Sequence, residues 1–284
     1  MTIEINKRAE VLIQALPYIQ KYYGKTVVVK YGGSAMEDTA FQKAVMGDVV
    51  LLTLVGVKIV LVHGGGPELS AMLKRLGKES SFVDGLRVTD HETVDVAQMV
   101  LAGKVNKGLV NLIQNVGGTA IGLSGMDGHL IEARQLDEKL GFVGEIIAIH
   151  PAPIVDLLEK GYIPVVSTLG CDKEGNVYNI NADTAAAHIA AALKAESLIN
   201  LTDTKGVLAD AKDPASLITR IRLEEIARLK SSGVITGGMI PKLECCAHAV
   251  EQGAKRAFII DGRVPHSILI EMLTDEGIGT MVTA

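Results

Sequence analysis

The chain is poor in the features that mark several large protein classes. It has three cysteines in 284 residues: Cys171, Cys245 and Cys246. Two are adjacent and no C-x-x-C pair occurs, so neither a disulfide framework nor a zinc site is encoded. They read as reduced thiols that fill space as small apolar side chains. No run of 18 apolar residues occurs, so no membrane-spanning helix is expected. The opening stretch, MTIEINKRAEVLIQALPYIQKYYG, lacks the n-region, long apolar core and cleavage site of a signal peptide. A cytoplasmic location is the expectation. The net charge is −5 and no Lys/Arg-rich run appears, which argues against a nucleic-acid partner. Internal repeats and low-complexity linkers are also missing. With 48% hydrophobic and 21% charged residues, the chain is still a globular one, long enough for one large α/β unit or two lobes.

What is present is a regular alternation. Short Val/Ile/Leu-rich runs predict strands at 26–31, 57–63, 119–123, 163–168, 198–202 and 256–260. Helical patterns lie between them at 39–54, 67–76, 91–116, 151–159, 182–193 and 239–252. Continuous apolar strands suit a sheet covered on both faces, and strand–helix alternation implies βαβ units. The expected fold is therefore α/β: a mainly parallel central sheet sandwiched by helices, with two lobes that meet near 185–197. HLIEAR and GFVGEI read as an added hairpin. Residues 4–23 have helical spacing broken by Pro17, which makes them an N-terminal appendage. Its apolar face must cover its own domain or another subunit, and periodicity does not choose between them.

Three glycine turns sit at strand ends or open helices: KYGGS, HGGGP (63–67) and TGGMIPK (236–242). Glycine lets successive N–H groups face one point, and a helix N-terminus adds positive potential there. Each is an anion cradle in principle, although one such turn alone is ordinary structure. No Walker A motif, G-x-G-x-x-G or G-x-S-x-G occurs, so the usual P-loop, dinucleotide and hydrolase readings fail. Lys30 closes the first strand beside Gly32 and Gly33. Lys242 follows Gly237 and Gly238 in the first turn of a helix. Two ammonium groups aimed at one cavity need an anion between them, and phosphoryl transfer supplies one. A solvated surface lysine is the plain alternative for Lys242.

Other residues suit the same chemistry. YNINADTAA places Asn179, Asn181 and Asp183 at alternate positions as a helix begins. Asp183 is either a helix cap or the group that holds the lysines. In GLRVTD, Arg87 suits bidentate capture of a carboxylate, or a surface ion pair, just before a helix capped by Thr89 or Asp90. LTDTKGV, with Thr202, Asp203, Lys205, Gly206 and Val207, is either a nucleotide loop or a simple turn. The seven histidines show no metal or triad spacing.

Taken together, VVVKYGGSAM, LVHGGGPE, GLRVTD, MVLAGKVNKGLV, YNINADTAA, LTDTKGVLAD, GGMIPKLE and IDGRVPHSILIE resemble the amino acid kinase family over nearly the whole chain. KYGGSAM, GLRVTD and NINAD are similar to the branch that phosphorylates the side-chain carboxylate of N-acetyl-L-glutamate, in arginine biosynthesis. The resemblance implies ATP as co-substrate, with Mg²⁺ carried on its phosphates. It implies that Lys30 and Lys242 stabilise the moving phosphoryl group and that Asp183 orients them. By the same resemblance Gly65, Gly66, Arg87, Asn179 and Asn181 serve the acceptor. Gly32, Gly33, Thr202, Asp203, Lys205, Gly206, Val207, Gly237 and Gly238 serve the nucleotide. Residues 1–25 would be an oligomerising arm, 26–190 the acetylglutamate lobe and 191–284 the nucleotide lobe.

The arm and the tail GRVPHSILIEMLTDEGIGTMV are similar to those of arginine-inhibited, hexameric members (trimers of dimers). That implies an L-arginine site near Tyr18, Tyr22, Lys194, His266, Glu276 and Gly277. A PII-type signalling protein is a partner of some relatives. One departure is Met126 in GLSGMDG, where many members carry lysine. The competing expectations are another carboxylate or carbamate kinase of this fold, or an arginine sensor without turnover.

Overall fold

The computed structural model describes residues 5–36, 38–210 and 212–284. Eight strands form the main sheet. From one edge to the other they are Arg220–Arg222, Thr280–Thr283, Arg256–Asp261, Ser197–Thr202, Thr26–Tyr31, Lys58–His63, Ile163–Ser167 and Ala120–Ser124. The six inner and far-edge strands from Arg256–Asp261 to Ala120–Ser124 run parallel. Thr280–Thr283 runs antiparallel to Arg256–Asp261 and carries Arg220–Arg222 alongside it. The sheet is thus mainly parallel and helices cover both faces, as the alternation predicts.

Strand periodicity sorts side chains to two cores. Val27, Val29 and Tyr31 face one core with Ile59, Leu61, Ile199 and Leu201, under helices Thr39–Leu54, Asn106–Asn115 and Ser267–Leu273. Val28, Val60, Val62 and Leu198 face the other, under Ala182–Ala192 and Met239–Glu251. In Ala182–Ala192 the buried side chains are almost all alanine. That helix can therefore lie close to the sheet and to Met239–Glu251, its neighbour.

The predicted hairpin forms: Ile131–Gln135 pairs antiparallel with Gly144–Ile149 in a small sheet that includes Leu169–Cys171 and Val177–Asn179. The appendage is two helices, Ile5–Gln14 and Leu16–Tyr22, with Pro17 in the first turn of the second. Residues 1–4 of the predicted arm lie outside the described residues. The single helix expected over 91–116 is in fact three segments. His91–Gln98 is α-helical, Met99–Val105 is a π-helix and Asn106–Asn115 is α-helical again. Helices Leu223–Ser231 and Ser267–Leu273, and the short strands Arg220–Arg222 and Thr280–Thr283, were not expected from the sequence. Among the described residues the three cysteines are free, and no helix is long and apolar enough to cross a membrane.

Candidate active site

Lys30 alternates with Val29 and Tyr31, so it shares Val28's face of the sheet. That is the face covered by Ala182–Ala192 and Met239–Glu251, which carry Asp183 and Lys242. The Lys30 ammonium lies 2.7 Å from Asp183 Oδ1 and the Lys242 ammonium lies 3.1 Å from Asp183 Oδ2. One carboxylate therefore bridges two lysines that are 212 positions apart in the chain. Burial by itself would raise the Asp183 carboxyl. The charges and hydrogen bonds of Lys30 and Lys242 outweigh it and hold the group below the ordinary aspartate value.

Asp183 is not the helix cap. Asn181 is: its side-chain oxygen accepts from the N–H groups of Asp183 (2.9 Å) and Thr184 (3.1 Å). This leaves the Asp183 carboxylate free for the lysines. Nearby Cys245 is no nucleophile, since burial pushes its thiol up to about 11.

Beside Lys30 lies a cleft of about 280 Å³ at the C-terminal ends of the Thr26–Tyr31 and Lys58–His63 strands. Its walls include Lys30, Gly32, Gly65, Arg87, Asn179 and Asn181. Gly33 and Gly66 also border it. Gly65 lies close against the π-helix wall: a Cβ there would lie 2.7 Å from Leu101 Cδ2 and 3.1 Å from Val105 Cγ2, so those side chains would have to shift. Arg87 is 8% exposed and donates to Ser80 Oγ (2.5 Å), Ser70 Oγ (2.8 Å) and the Gly66 carbonyl (3.1 Å). Its guanidinium lies 4.7 Å from the Phe82 ring centroid. Among the described residues it has no carboxylate partner, so it is a fixed, buried cation at the cleft and not a surface ion pair. Asn179 Nδ2 is 3.4 Å from Thr89 Oγ1. Asp90, not Thr89, caps the following helix.

The loop after Ser197–Thr202 lies elsewhere. Thr202 is buried and bonds to the Thr204 hydroxyl and backbone. Asp203 and Lys205 are exposed, and Val207 is buried with its N–H given to Thr280 Oγ1 at 2.8 Å. Gly206 has φ +134°, and a Cβ there would lie 2.6 Å from Thr280 Oγ1. Gly237 and Gly238 are exposed and lead into the helix bearing Lys242.

The residues implied for arginine divide. Tyr18 and Glu276 border one groove of about 670 Å³ between the appendage and the Ser267–Leu273 helix. A hydrogen bond to Asp275 raises the Tyr18 phenol. Gly277 packs beside Glu271 of that helix. His266 Nδ1 lies 2.6 Å from the buried Asp48 Oδ1 at the start of the same helix. Tyr22 is buried, with the Arg256 guanidinium 5.6 Å from its ring. Lys194 borders no part of the groove; its Cγ lies by Gly253. Among the described residues no group of three His, Cys, Asp or Glu side chains could hold a metal ion. Met126 packs against the core.

Sequence reasoning missed Gly64, Leu101, Phe82 and Thr168, which also line the cleft. Gly64 was visible as the first glycine of HGGGP. The others carry no local signal.

The amino acid kinase family pattern matches residues 25–261. The chain is 55% identical over 276 residues to the acetylglutamate kinase of Brachyspira hyodysenteriae, covering 96% of each. It is 52% identical over 293 aligned positions to that of Moorella thermoacetica, covering 99% of each. Among solved structures, it superposes on N-acetylglutamate synthase from Neisseria gonorrhoeae with coenzyme A and N-acetyl-glutamate, at TM-score 0.85 and 26% identity. That match covers 97% of this chain and 63% of the longer synthase chain. A family pattern over most of the chain and near-full-length relatives at over half identity lead to one assignment: this chain belongs to the amino acid kinase family.

Proposed function

We propose that the chain transfers the γ-phosphoryl group of ATP to the side-chain carboxylate of N-acetyl-L-glutamate, within arginine biosynthesis. The observation that carries this is the Lys30–Asp183–Lys242 bridge at the rim of a glycine-lined cleft. The acceptor carboxylate oxygen attacks the γ-phosphorus, the bond to the bridging oxygen breaks, and its electron pair leaves with ADP. The product is an acyl phosphate. Both reactants are anionic, so the reaction needs positive charge and alignment more than a nucleophile of the protein. Lys30 and Lys242 provide the charge, and Asp183 keeps the two ammonium groups together when no phosphate separates them. Arg87 holds the α-carboxylate of the acceptor, and Asn179 and Asn181 offer amide groups to its acetamide. MgATP is the co-substrate, with the metal travelling on the phosphates. In this reading residues 26–190 serve the acceptor and 191–284 the nucleotide.

ADP release with MgATP and N-acetyl-L-glutamate, against aspartate and carbamate, tests the reading. Turnover confined to aspartate or carbamate would sink it.

The groove at Tyr18 and Glu276 favours a second function of the same chain, feedback inhibition by L-arginine. The acidic side chains Asp275 and Glu276 suit a guanidinium ligand. The appendage leaves Val11, Leu12, Ile13 and Leu16 exposed, which suits subunit contact in a hexamer. Removing residues 1–24 should reduce both particle mass in light scattering and arginine inhibition. An unchanged hexamer would refute the arm.

A further inference from the structure

We propose that His63, with its proton on Nδ1, is a positioning residue that aims the Gly65 N–H into the phosphoryl-binding cleft. This rests on the kinase reading above and adds a residue to it.

His63 ends the Lys58–His63 strand and is wholly buried. It shares the face of Ile59 and Leu61, opposite the face of Lys30. A buried imidazole needs a partner at each nitrogen, and both are present. Nδ1 lies 2.7 Å from the Gly64 carbonyl oxygen, and Nε2 lies 3.1 Å from Asn106 Nδ2. A carbonyl only accepts, so Nδ1 carries the proton. Asn106 Nδ2 also faces the carbonyls of Val165 (2.9 Å) and Leu123 (3.1 Å), which fixes the amide with its nitrogen toward His63. Nε2 is then the acceptor. Asn106 itself cannot swing toward the sheet, because it is packed against Gly122, where a Cβ would lie 1.9 Å from its Oδ1. Burial drives the ring down to about 4, against the Gly64 hydrogen bond and with help from Lys107, so the ring is neutral near pH 7.

The consequence is in the next peptide. In a trans peptide the C=O and the following N–H point to opposite sides. With the Gly64 carbonyl turned down onto the imidazole, the Gly65 N–H is turned away from it. Gly65 lines the cleft, and its N–H has no acceptor among the described residues. The Gly64 N–H, by contrast, is already given to the Tyr31 carbonyl at 3.1 Å. A Gly-Gly peptide has little intrinsic preference and can flip. A flip would present a carbonyl oxygen to a phosphate where an N–H should be, which changes attraction into repulsion. His63 holds the peptide in the useful sense, and Asn106 holds His63.

The test uses the full-length protein, two substitutions and one wild-type measurement. His63→Gln can reach Asn106 from the Nε2 position but leaves the Gly64 carbonyl unanchored. His63→Asn places an amide near the Nδ1 position and can still donate to it. With N-acetylglutamate and MgATP, His63→Gln should lower kcat on the order of 10²-fold, the effect of a small misplacement of a reacting group. Both KM values should move by less than about threefold, since the Gly65 donor acts mainly on the transferring phosphoryl group. His63→Asn should recover most of that kcat. Equal kcat in the two variants, whether high or low, overturns the proposal.

Histidine ¹⁵N resonances of the wild type decide the matter even if neither variant folds. Burial also takes His188 to about 4, so its ring is identified by its loss in His188→Gln. The His63 ring, identified in the same way by replacing each other histidine in turn, should carry its proton on Nδ1; a proton on Nε2 refutes the assignment. Absence of wild-type turnover would instead sink the kinase reading and leave the tautomer result standing.

Discussion

Lys30 and Lys242 share one carboxylate but stand on unlike ground. Lys30 belongs to a strand paired on both sides, and its side chain is 9% exposed. Lys242 rides a helix start behind two exposed glycines, and its side chain is 24% exposed. The surroundings repeat the contrast. On the Lys30 side the cleft is finished: Arg87 has three acceptors, Asn181 is locked into a cap, and the glycine loop is seated on the π-helix. On the other side the 203–205 turn and residues 236–238 are exposed. The Lys30 side is thus built from buried, mutually bonded residues, and the Lys242 side from exposed turns.

The sharpest way to break this comparison is Lys30→Ala. It removes charge felt mainly in the transition state and should reduce kcat by ~10²-fold or more. A kcat unchanged in steady-state assays would end its role. Next is Arg87→Lys, which keeps the charge and loses the fork to Ser80, Ser70 and Gly66. KM for acetylglutamate should rise roughly 10- to 100-fold, the worth of hydrogen bonds to a charged group. KM for ATP should move little; an equal rise in both would erase the division between the two sides.

A smaller effect is expected from Gly206→Ala, which forces a side chain into a left-handed backbone position against Thr280 Oγ1. It should cost about 1–3 kcal/mol in denaturant melts. It should also weaken ATP binding more than acetylglutamate binding.

The least effect is at the exposed Lys78–Asp90 pair. Hydrogen bonds from Lys78 and Thr93 hold the Asp90 carboxyl at about 2, below its ordinary 3.8. Because the folded value is depressed, its stabilisation is complete above the ordinary value and fades as pH falls from about 4 toward 2. Asp90→Asn keeps an oxygen for the Thr93 cap but loses the charge, so it should lower the neutral-pH Tm slightly and flatten that part of the acid melting curve, the gap to wild type closing as pH falls toward 2.

Much of this was legible in the chain itself. The Thr26–Tyr31 strand and the Thr39–Leu54 helix were read to the residue: the strand is a continuous buried apolar run, and the helix is a long apolar one capped by Asp38. Lys30 stood out because a lysine at the end of a buried strand demands an anion. Asp183 was ambiguous, since a helix start rewards Asn and Asp alike; only packing shows that Asn181 takes the cap. The outermost strand Arg220–Arg222 and its neighbour Thr280–Thr283 are short and exist through their pairing. The roles of Leu101, Phe82 and Asn106 depend on contacts across the fold, with no trace in neighbouring residues. The fold-defining layer was thus encoded locally, and the walls of the cleft were not.

The π-helix at Met99–Val105 has one further implication, which concerns insertions and deletions. A π turn is what one surplus residue produces inside an otherwise α-helical run. Deleting one residue there would return the segment to plain α geometry. Because the wide turn absorbs the surplus residue, the α-helical runs on either side would keep their mutual orientation, and Val94, Ala97 and Asn106 would hold their places. The change would be local: Leu101 and Val105, which lie inside the wide turn and wall Gly65, would be reset. A homologous chain that lacks this one residue would be expected to keep the fold and differ in the wall behind Gly65. One residue can thus be gained or lost at this wall of the cleft without disturbing the helices on either side.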